Sequence, residues 1–277
     1  MSGGPPPREI EPFPADDLRR RLAGRRIGRR LLSFGEVDST NDLAWKALEE
    51  AARPEDVDGL VVLASFQARG RGSRGRAWVS PPGTSLLASV LLVPPAGSHP
   101  VAGLTAAGGC AVAAAVREGT GLSPSLKWPN DVLLDGRKVA GVLVEARSRP
   151  GSGSVYVVGV GLNANSHRVD FPESLRETLT TVREETGCAV DLGSLAERFL
   201  GALEEREGAL REGNAGALEE EFVALLGLVG RDVEARLPDG EVSGRLEGLS
   251  FREGLRIRAL AGVRALPCEG VLSLAGR

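Results

Sequence analysis

Residues 101–118 are small and apolar on every side, with no polar face at helical spacing. A helix of that composition must be covered all round, so it belongs between a sheet and further helices. The strand signals agree. Segments 60–66 and 85–93 are continuous apolar runs of buried-strand length, and further strands are expected at about 125–128, 131–135, 138–146 and 154–162. Ser39-Thr40-Asn41-Asp42 opens an amphipathic helix carried by Leu43, Ala44, Ala47, Leu48 and Ala51. Leu192, Leu195, Ala196, Phe199, Leu200 and Leu203 mark a second amphipathic helix, stopped by Gly213-Asn214, and residues 215–226 form a third.

From about Gly230 the pattern changes to short alternating segments, at 232–237, 241–248, 254–259, 263–266 and 269–274, with Pro238-Asp239-Gly240 as a hairpin turn. This is the pattern of a small all-β barrel. The expected organisation is a flexible N-terminal segment over 1–30, an α+β domain with a mixed sheet flanked by helices over 31–228, and the barrel over 229–277. Within the first segment, residues 1 to about 14 are Pro- and Gly-rich and expected to be disordered, whereas 16–32 carry Arg/Leu-rich helical sequence.

Composition excludes several kinds of chemistry. A net charge of -3 gives no global basic field for nucleic acid or an anionic membrane. No signal-peptide core or membrane-length apolar run stands out, so a cytoplasmic protein is expected. Cys110, Cys188 and Cys268 are odd in number and widely spaced, which fits neither a disulfide framework nor a zinc site. The two histidines, His99 and His167, stand apart from the cysteines, so a His-based metal centre or a Ser-His-Asp triad is not expected.

The polar chemistry lies in five short segments. Lys127-Trp128-Pro129-Asn130-Asp131 packs a cation, an aromatic plate, a rigid turn, an amide and a carboxylate between two strands. It is either a plain turn with a packed tryptophan or a site held by a rigid scaffold. The loop 67–78 has four arginines and three glycines within residues 69–77. Glycines admit close backbone approach and arginines fork onto phosphate or carboxylate. A solvated basic loop or an RNA-binding tract is the plainer alternative. No Gly-Lys-Ser/Thr follows, so it is not a Walker loop. Ser39-Thr40-Asn41 is either an ordinary capping box with Asp42 or a hydrogen-bonding cradle at a helix N-terminus. Gly136-Arg137-Lys138-Val139-Ala140-Gly141 begins a strand, in which alternation puts Lys138 and Gly141 on opposite faces. Gly159-Val160-Gly161-Leu162-Asn163 ends another strand in glycines and an amide.

In this order and spacing, the five segments resemble the biotin–protein ligase family, over about residues 35–275. The resemblance implies a class II synthetase-like catalytic domain followed by a small Src-homology-type barrel. It implies ATP and biotin as substrates with Mg²⁺, and transfer of biotin from biotinyl-5′-AMP to a lysine of a biotin carboxyl carrier protein, that of acetyl-CoA carboxylase or another carboxylase. By the same resemblance Ser39, Thr40, Asn41, Gln67, Arg71, Gly72, Ser73, Lys138 and Gly141 would bind biotin or its acyl-phosphate. Arg76, Trp78, Lys127, Asn130, Asp131 and Asn163 would meet ATP, with Trp78 near adenine and Asp131 a metal ligand. Lys138, Arg71, Arg76 and Lys127 would be catalytic.

Many relatives have Arg where this chain has Ser73, which implies a looser grip on the intermediate. Relatives that repress transcription carry an N-terminal winged helix. About 30 residues precede the first recognisable element here, so a short-form ligase without DNA or membrane binding is expected. A side-by-side homodimer is an arrangement found in the family. The competing readings are a lipoate–protein ligase and a non-catalytic nucleotide- or RNA-binding module.

Overall fold

The computed structural model describes residues 10–94, 99–149 and 153–277. Seven strands form one mixed sheet: β1 (Leu31–Val37), β2 (Val61–Gln67), β3 (Ser85–Leu92), β4 (Ser125–Lys127), β5 (Asp131–Leu134), β6 (Arg137–Arg149) and β7 (Gly153–Asn163), in the order β1-β2-β3-β7-β6-β5-β4. Only β1 and β2 run parallel; the other neighbours are antiparallel hairpins or crossovers. The helices are α1 (Asp16–Arg21), α2 (Thr40–Glu50), α3 (Val101–Thr120), α4 (Glu173–Arg176), α5 (Val182–Thr186), α6 (Leu192–Arg211) and α7 (Gly216–Leu226).

Strand alternation divides the sheet into two faces. Val61, Leu63, Leu86, Ala88, Val90, Val158, Val160 and Leu162 join the main core with α3, α6 and α7. Val62, Leu91, Val155 and Val157 point the other way and pack against Ala44 and Trp45 of α2. By length and composition, α3 is apolar enough to cross a membrane. Here most of the helix is buried inside the protein, so its apolarity is used in the core. On the second face β7 changes character along its length. Val155 and Val157 lie under α2, and the next residues on that face are Gly159, Gly161 and Asn163. The apolar patch therefore gives way to a side-chain-free floor.

The N-terminal segment departs from the expectation of flexibility. Residues 1–9 lie outside the described residues, but Phe13, Leu18, Leu22 and Ile27 are buried in the main core. The chain crosses β1 closely: a Cβ on Gly35 would stand 1.7 Å from the Ile10 carbonyl oxygen, and Ser33 Oγ donates to Phe13 O at 2.6 Å. Arg25 and Arg26 then tie the segment to α6 through Glu204 and Glu207. The arginines that make the segment look solvated are its fastenings.

The C-terminal strands β8 (Asp232–Leu237), β9 (Gly240–Ser250), β10 (Gly254–Ala259), β11 (Gly262–Leu266) and β12 (Ser273–Gly276) form an antiparallel sheet in the order β11-β10-β9-β8-β12, the strand complement of a Src-homology-type unit. Expected strand 269–274 starts later, because Cys268–Gly270 is a 3-10 turn. Trp128 forms the joint with the larger sheet. Its Nε1 donates to Val271 O at 2.8 Å, and its ring meets Phe222 edge-on at 6.0 Å. Phe222 in turn meets Phe251 at 6.0 Å. For Trp128 the plainer reading, packing, is the one observed.

Candidate functional site

A cavity of about 560 Å³ opens over the glycine floor. It is lined by Ser39, Thr40, Asn41, Gln67, Arg71, Gly72, Ser73, Arg76, Trp78, Lys127, Asn130, Asp131, Lys138, Gly141 and Asn163, so the residues to which the resemblance gave a role meet at one place, while Arg69, Arg74, Trp128 and Pro129 of the same segments lie outside it.

The polar end is built on the N-terminus of α2. Ser39 caps nothing with its side chain, so the simple capping box is absent. Gln67 Oε1 instead accepts from Thr40 N at 2.8 Å and from Thr40 Oγ1 at 3.0 Å. Ser89 Oγ lies 2.7 Å from Thr40 Oγ1 and 2.5 Å from Asn41 Oδ1. Asn41 Nδ2 is buried without a partner, a donor free for a ligand. Asn163 Oδ1 is likewise buried and unpartnered, while its Nδ2 donates to Thr180 O at 3.3 Å. Such groups are costly unless something satisfies them.

The floor is glycine because nothing larger fits. A Cβ on Gly159 would stand 2.4 Å from Asn41 Oδ1, and one on Gly161 would stand 2.3 Å from the Trp78 ring. The Trp78 indole packs against Gly161, with Nε1 buried and unpartnered and the Lys138 ammonium 5.5 Å from the ring centroid.

The turn between β4 and β5 sets Lys127 opposite Asp131, and Asn130 Nδ2 fastens it to Val142 O at 2.8 Å. Lys138 Nζ sits 2.6 Å from Asp131 Oδ1. Here alternation failed as a guide. The β5–β6 register shifts between Val132 and Leu133, so Val139 and Ala140 are both buried. This bulge brings the Lys138 ammonium within 3.2 Å of where a Gly141 Cβ would be. Lys138 and Gly141 therefore share a face instead of opposing each other.

The Gly/Arg loop is a small folded hairpin. Gly72 N donates to Arg76 O at 2.7 Å, and Arg71 bridges to Ala77. Arg76 Nη2 donates to Ser73 Oγ at 3.1 Å. Arg74 adopts a left-handed conformation (φ 59°) and donates to Leu272 O of the C-terminal unit. Arg71 Nη1 donates to Asp42 at 2.7 Å and Nη2 to Glu145 at 3.1 Å. The hydrogen bond to Asp42 leads in raising the Arg71 pKa, burial opposes it and Glu145 adds to it.

A wall not apparent from sequence completes the cavity: Leu175, Glu177, Thr178 and Leu179, from the connection after β7. Lys138 N donates to Thr178 O and Thr180 N to Lys138 O, both at 2.9 Å, so this segment grips the main chain on both sides of Lys138. No motif marks it. Ser89, under the α2 cradle, was also not apparent, since a lone serine in an apolar strand carries no signal.

Four cations line the cavity, against the carboxylates of Asp131 and Glu177. Among the described residues no cluster of three or more His, Cys, Asp or Glu forms a metal cage. Asp131 suits a magnesium ion brought in on phosphates, which needs only one or two protein carboxylates. Nucleophilic cysteine chemistry has no support: burial pushes the Cys268 thiol up to about 12 and raises the Cys110 thiol as well. Neither Cys188 nor either histidine lines the cavity.

The biotin–[acetyl-CoA-carboxylase] ligase of Paracoccus denitrificans is 33% identical over 242 residues, covering 86% of this chain and 98% of that protein. The enzyme of the same name from Mycobacterium tuberculosis is 34% identical over 236 residues, covering 83% and 84%. A family model described as the biotin/lipoate A/B protein ligase family matches residues 34–165. The chain belongs to the biotin/lipoate A/B protein ligase family. Among solved structures, the biotin protein ligase from Aquifex aeolicus in complex with biotin and ATP aligns with a TM-score of 0.74 at 29% identity, covering 90% of this chain and 100% of that one.

Proposed function

We infer that this protein is an ATP-dependent biotin–protein ligase. The observation that carries the reading is the single cavity joining an uncharged polar cradle, a glycine floor and four cations. A bicyclic urea with an aliphatic tail needs hydroxyl and amide partners at one end and a flat apolar slot behind it. Ser39, Thr40, Asn41 and Gln67 provide the first, and Gly141, Gly159, Gly161 and Trp78 the second, so Trp78 is read here as a wall of the biotin slot and not, as the resemblance implied, as a partner of adenine. The biotin carboxylate attacks the α-phosphorus of ATP and pyrophosphate leaves. Two anions meet in that step, and Lys138, Lys127 and Arg76 offset their repulsion. Asn130 and Asn163 hold the nucleotide, and Asp131 is the carboxylate for a magnesium ion arriving with it. Gly72 and Ser73 stand beside the acyl-phosphate. The amine of an acceptor lysine then attacks the biotinyl carbonyl and AMP leaves. The acceptor is a biotin carboxyl carrier protein, that of acetyl-CoA carboxylase in the first instance, and the reaction runs in the cytoplasm.

ATP–pyrophosphate exchange tests the reading, with biotin, lipoate or no acid present. Exchange with biotin alone is expected. Exchange with lipoate alone would keep the adenylation chemistry and replace the substrate. No exchange with either acid, together with salt-sensitive retention on RNA, would favour a binding module instead.

A further inference from the structure

The four arginines of the Gly/Arg loop do not have equivalent partners. Arg76 is held by Ser73 of its own loop, Arg74 by a carbonyl of the C-terminal unit, and Arg69 lies 3.7 Å from Asp38 at the surface. Arg71 is held by two carboxylates from two different elements. Asp42 belongs to the first turn of α2, where the helix dipole favours an acid. Glu145 lies on β6 and is itself fixed, since Trp45 Nε1 donates to its Oε2 at 2.8 Å and Trp45 is buried. The two terminal nitrogens of the guanidinium are thus taken, one by each acid. The triad carries a net charge of -1, a poor attractor for a polyphosphate. Its location explains what it does instead. Asp42 is next to Asn41 and Thr40 of the polar cradle. Arg71 follows Gly70, whose carbonyl accepts from Trp78 N at 2.8 Å and whose Cβ position lies 3.2 Å from Gln67 Nε2. Arg71 is thus the chain neighbour of the residue that meets both Gln67 and Trp78.

We propose that Asp42 and Glu145 are positioning residues that hold Arg71 as a staple between the Gly/Arg loop and the α2 N-terminus, so that Arg71 serves the biotin end of the cavity and is not a clamp on the ATP phosphates. This rests on the ligase reading and assigns the phosphate charge to Arg76, Lys127 and Lys138. The two roles predict opposite effects when the carboxylates are neutralised. A clamp freed from its acids would hold ATP better. A staple without its anchors would loosen the biotin end.

The experiment uses the full chain and ATP–pyrophosphate exchange, with KM measured separately for biotin and ATP. In the double variant Asp42→Asn, Glu145→Gln, the KM for biotin is expected to rise about tenfold, with the KM for ATP within about twofold of wild type. Trypsin should cut the loop faster, and Asp42→Glu should behave as wild type. A fall in the KM for ATP, or an unchanged KM for biotin in a folded double variant, overturns the proposal. If thermal melting shows that the double variant does not fold, Arg71→Lys decides, because one ammonium cannot fork onto both acids. It should reproduce the rise in biotin KM; a rise confined to ATP overturns the staple. Absence of exchange in the wild type with biotin defeats the ligase reading itself and is seen before any variant is compared.

Discussion

At Gly161 one methyl group would stand 2.3 Å from the Trp78 ring, although the backbone there is ordinary strand. The residue is glycine to leave room for the Trp78 ring that borders the cavity. Gly161→Ala is therefore expected to fold and to lose at least about tenfold in kcat/KM for biotin, by exchange. Lys138 presents a different case. Its ammonium is held by Asp131 at 2.6 Å and its main chain is gripped on both sides by Thr178 and Thr180. The charge is placed by the scaffold before a ligand arrives. Removing it in Lys138→Ala should cost about 10²–10³-fold in adenylate formation, while circular dichroism stays native. At residue 73 the small hydroxyl accepts from Arg76 and brings no charge of its own. Ser73→Arg adds a cation facing the cavity and is expected to slow release of biotinyl-adenylate, measured by trapping the free intermediate. An unchanged release rate would show that Ser73 does not loosen the grip.

Elements that follow one period were legible in the sequence. Strand β3 is buried at every position and α3 on nearly all sides, and both read as continuous apolar runs. β1 was not anticipated, because it is an edge strand with an irregular burial pattern and a glycine at its crossing with residue 10. The β6 bulge could not be anticipated either. Period-two reasoning assumes an unbroken ladder, and the extra residue at Val139 is specified only by pairing with β5. The site motifs were legible because they gather residue types that core packing does not need. The wall 175–179 was not, because it contributes main-chain groups and ordinary side chains. Trp128 shows the limit from the other side. Its segment left open whether it packs or borders a site, and it forms the joint to the C-terminal unit. Trp128→Phe keeps the ring contacts and strands the Val271 carbonyl, so it should destabilise the protein by about 1–3 kcal/mol in denaturant melts.

Over the whole molecule, the N-terminal segment, α6 and the loop before β2 meet in one buried ion cluster. Glu207 is fully buried and is paired with Arg26, with Arg211 at 2.7 Å and with His99 Nε2 at 3.0 Å. Asp58 joins the two arginines, 3.2 Å from Arg26 and 2.8 Å from Arg211. Burial alone would raise the Glu207 pKa, but the His99 hydrogen bond and the two guanidinium charges outweigh it, and the result is a value below the ordinary 4.5. A carboxyl whose pKa is depressed in the folded state adds stability that is complete above its unfolded value and is lost as pH falls through the folded one. The protein should accordingly lose stability on acidification below about pH 4.5, and the N-terminal segment should detach first, because Arg26 loses its buried partner. Glu207→Gln removes the titrating group and leaves Asp58 as the one carboxylate between Arg26 and Arg211, at a cost of up to about 3 kcal/mol. Its stability should be lower at neutral pH and flatter across the acid range than wild type, in chemical melts taken at several pH values. Equal slopes for the two proteins would mean that acid acts elsewhere, the His167–Glu184 pair being the next group to examine, since the His167 hydrogen bond lowers the Glu184 pKa as well.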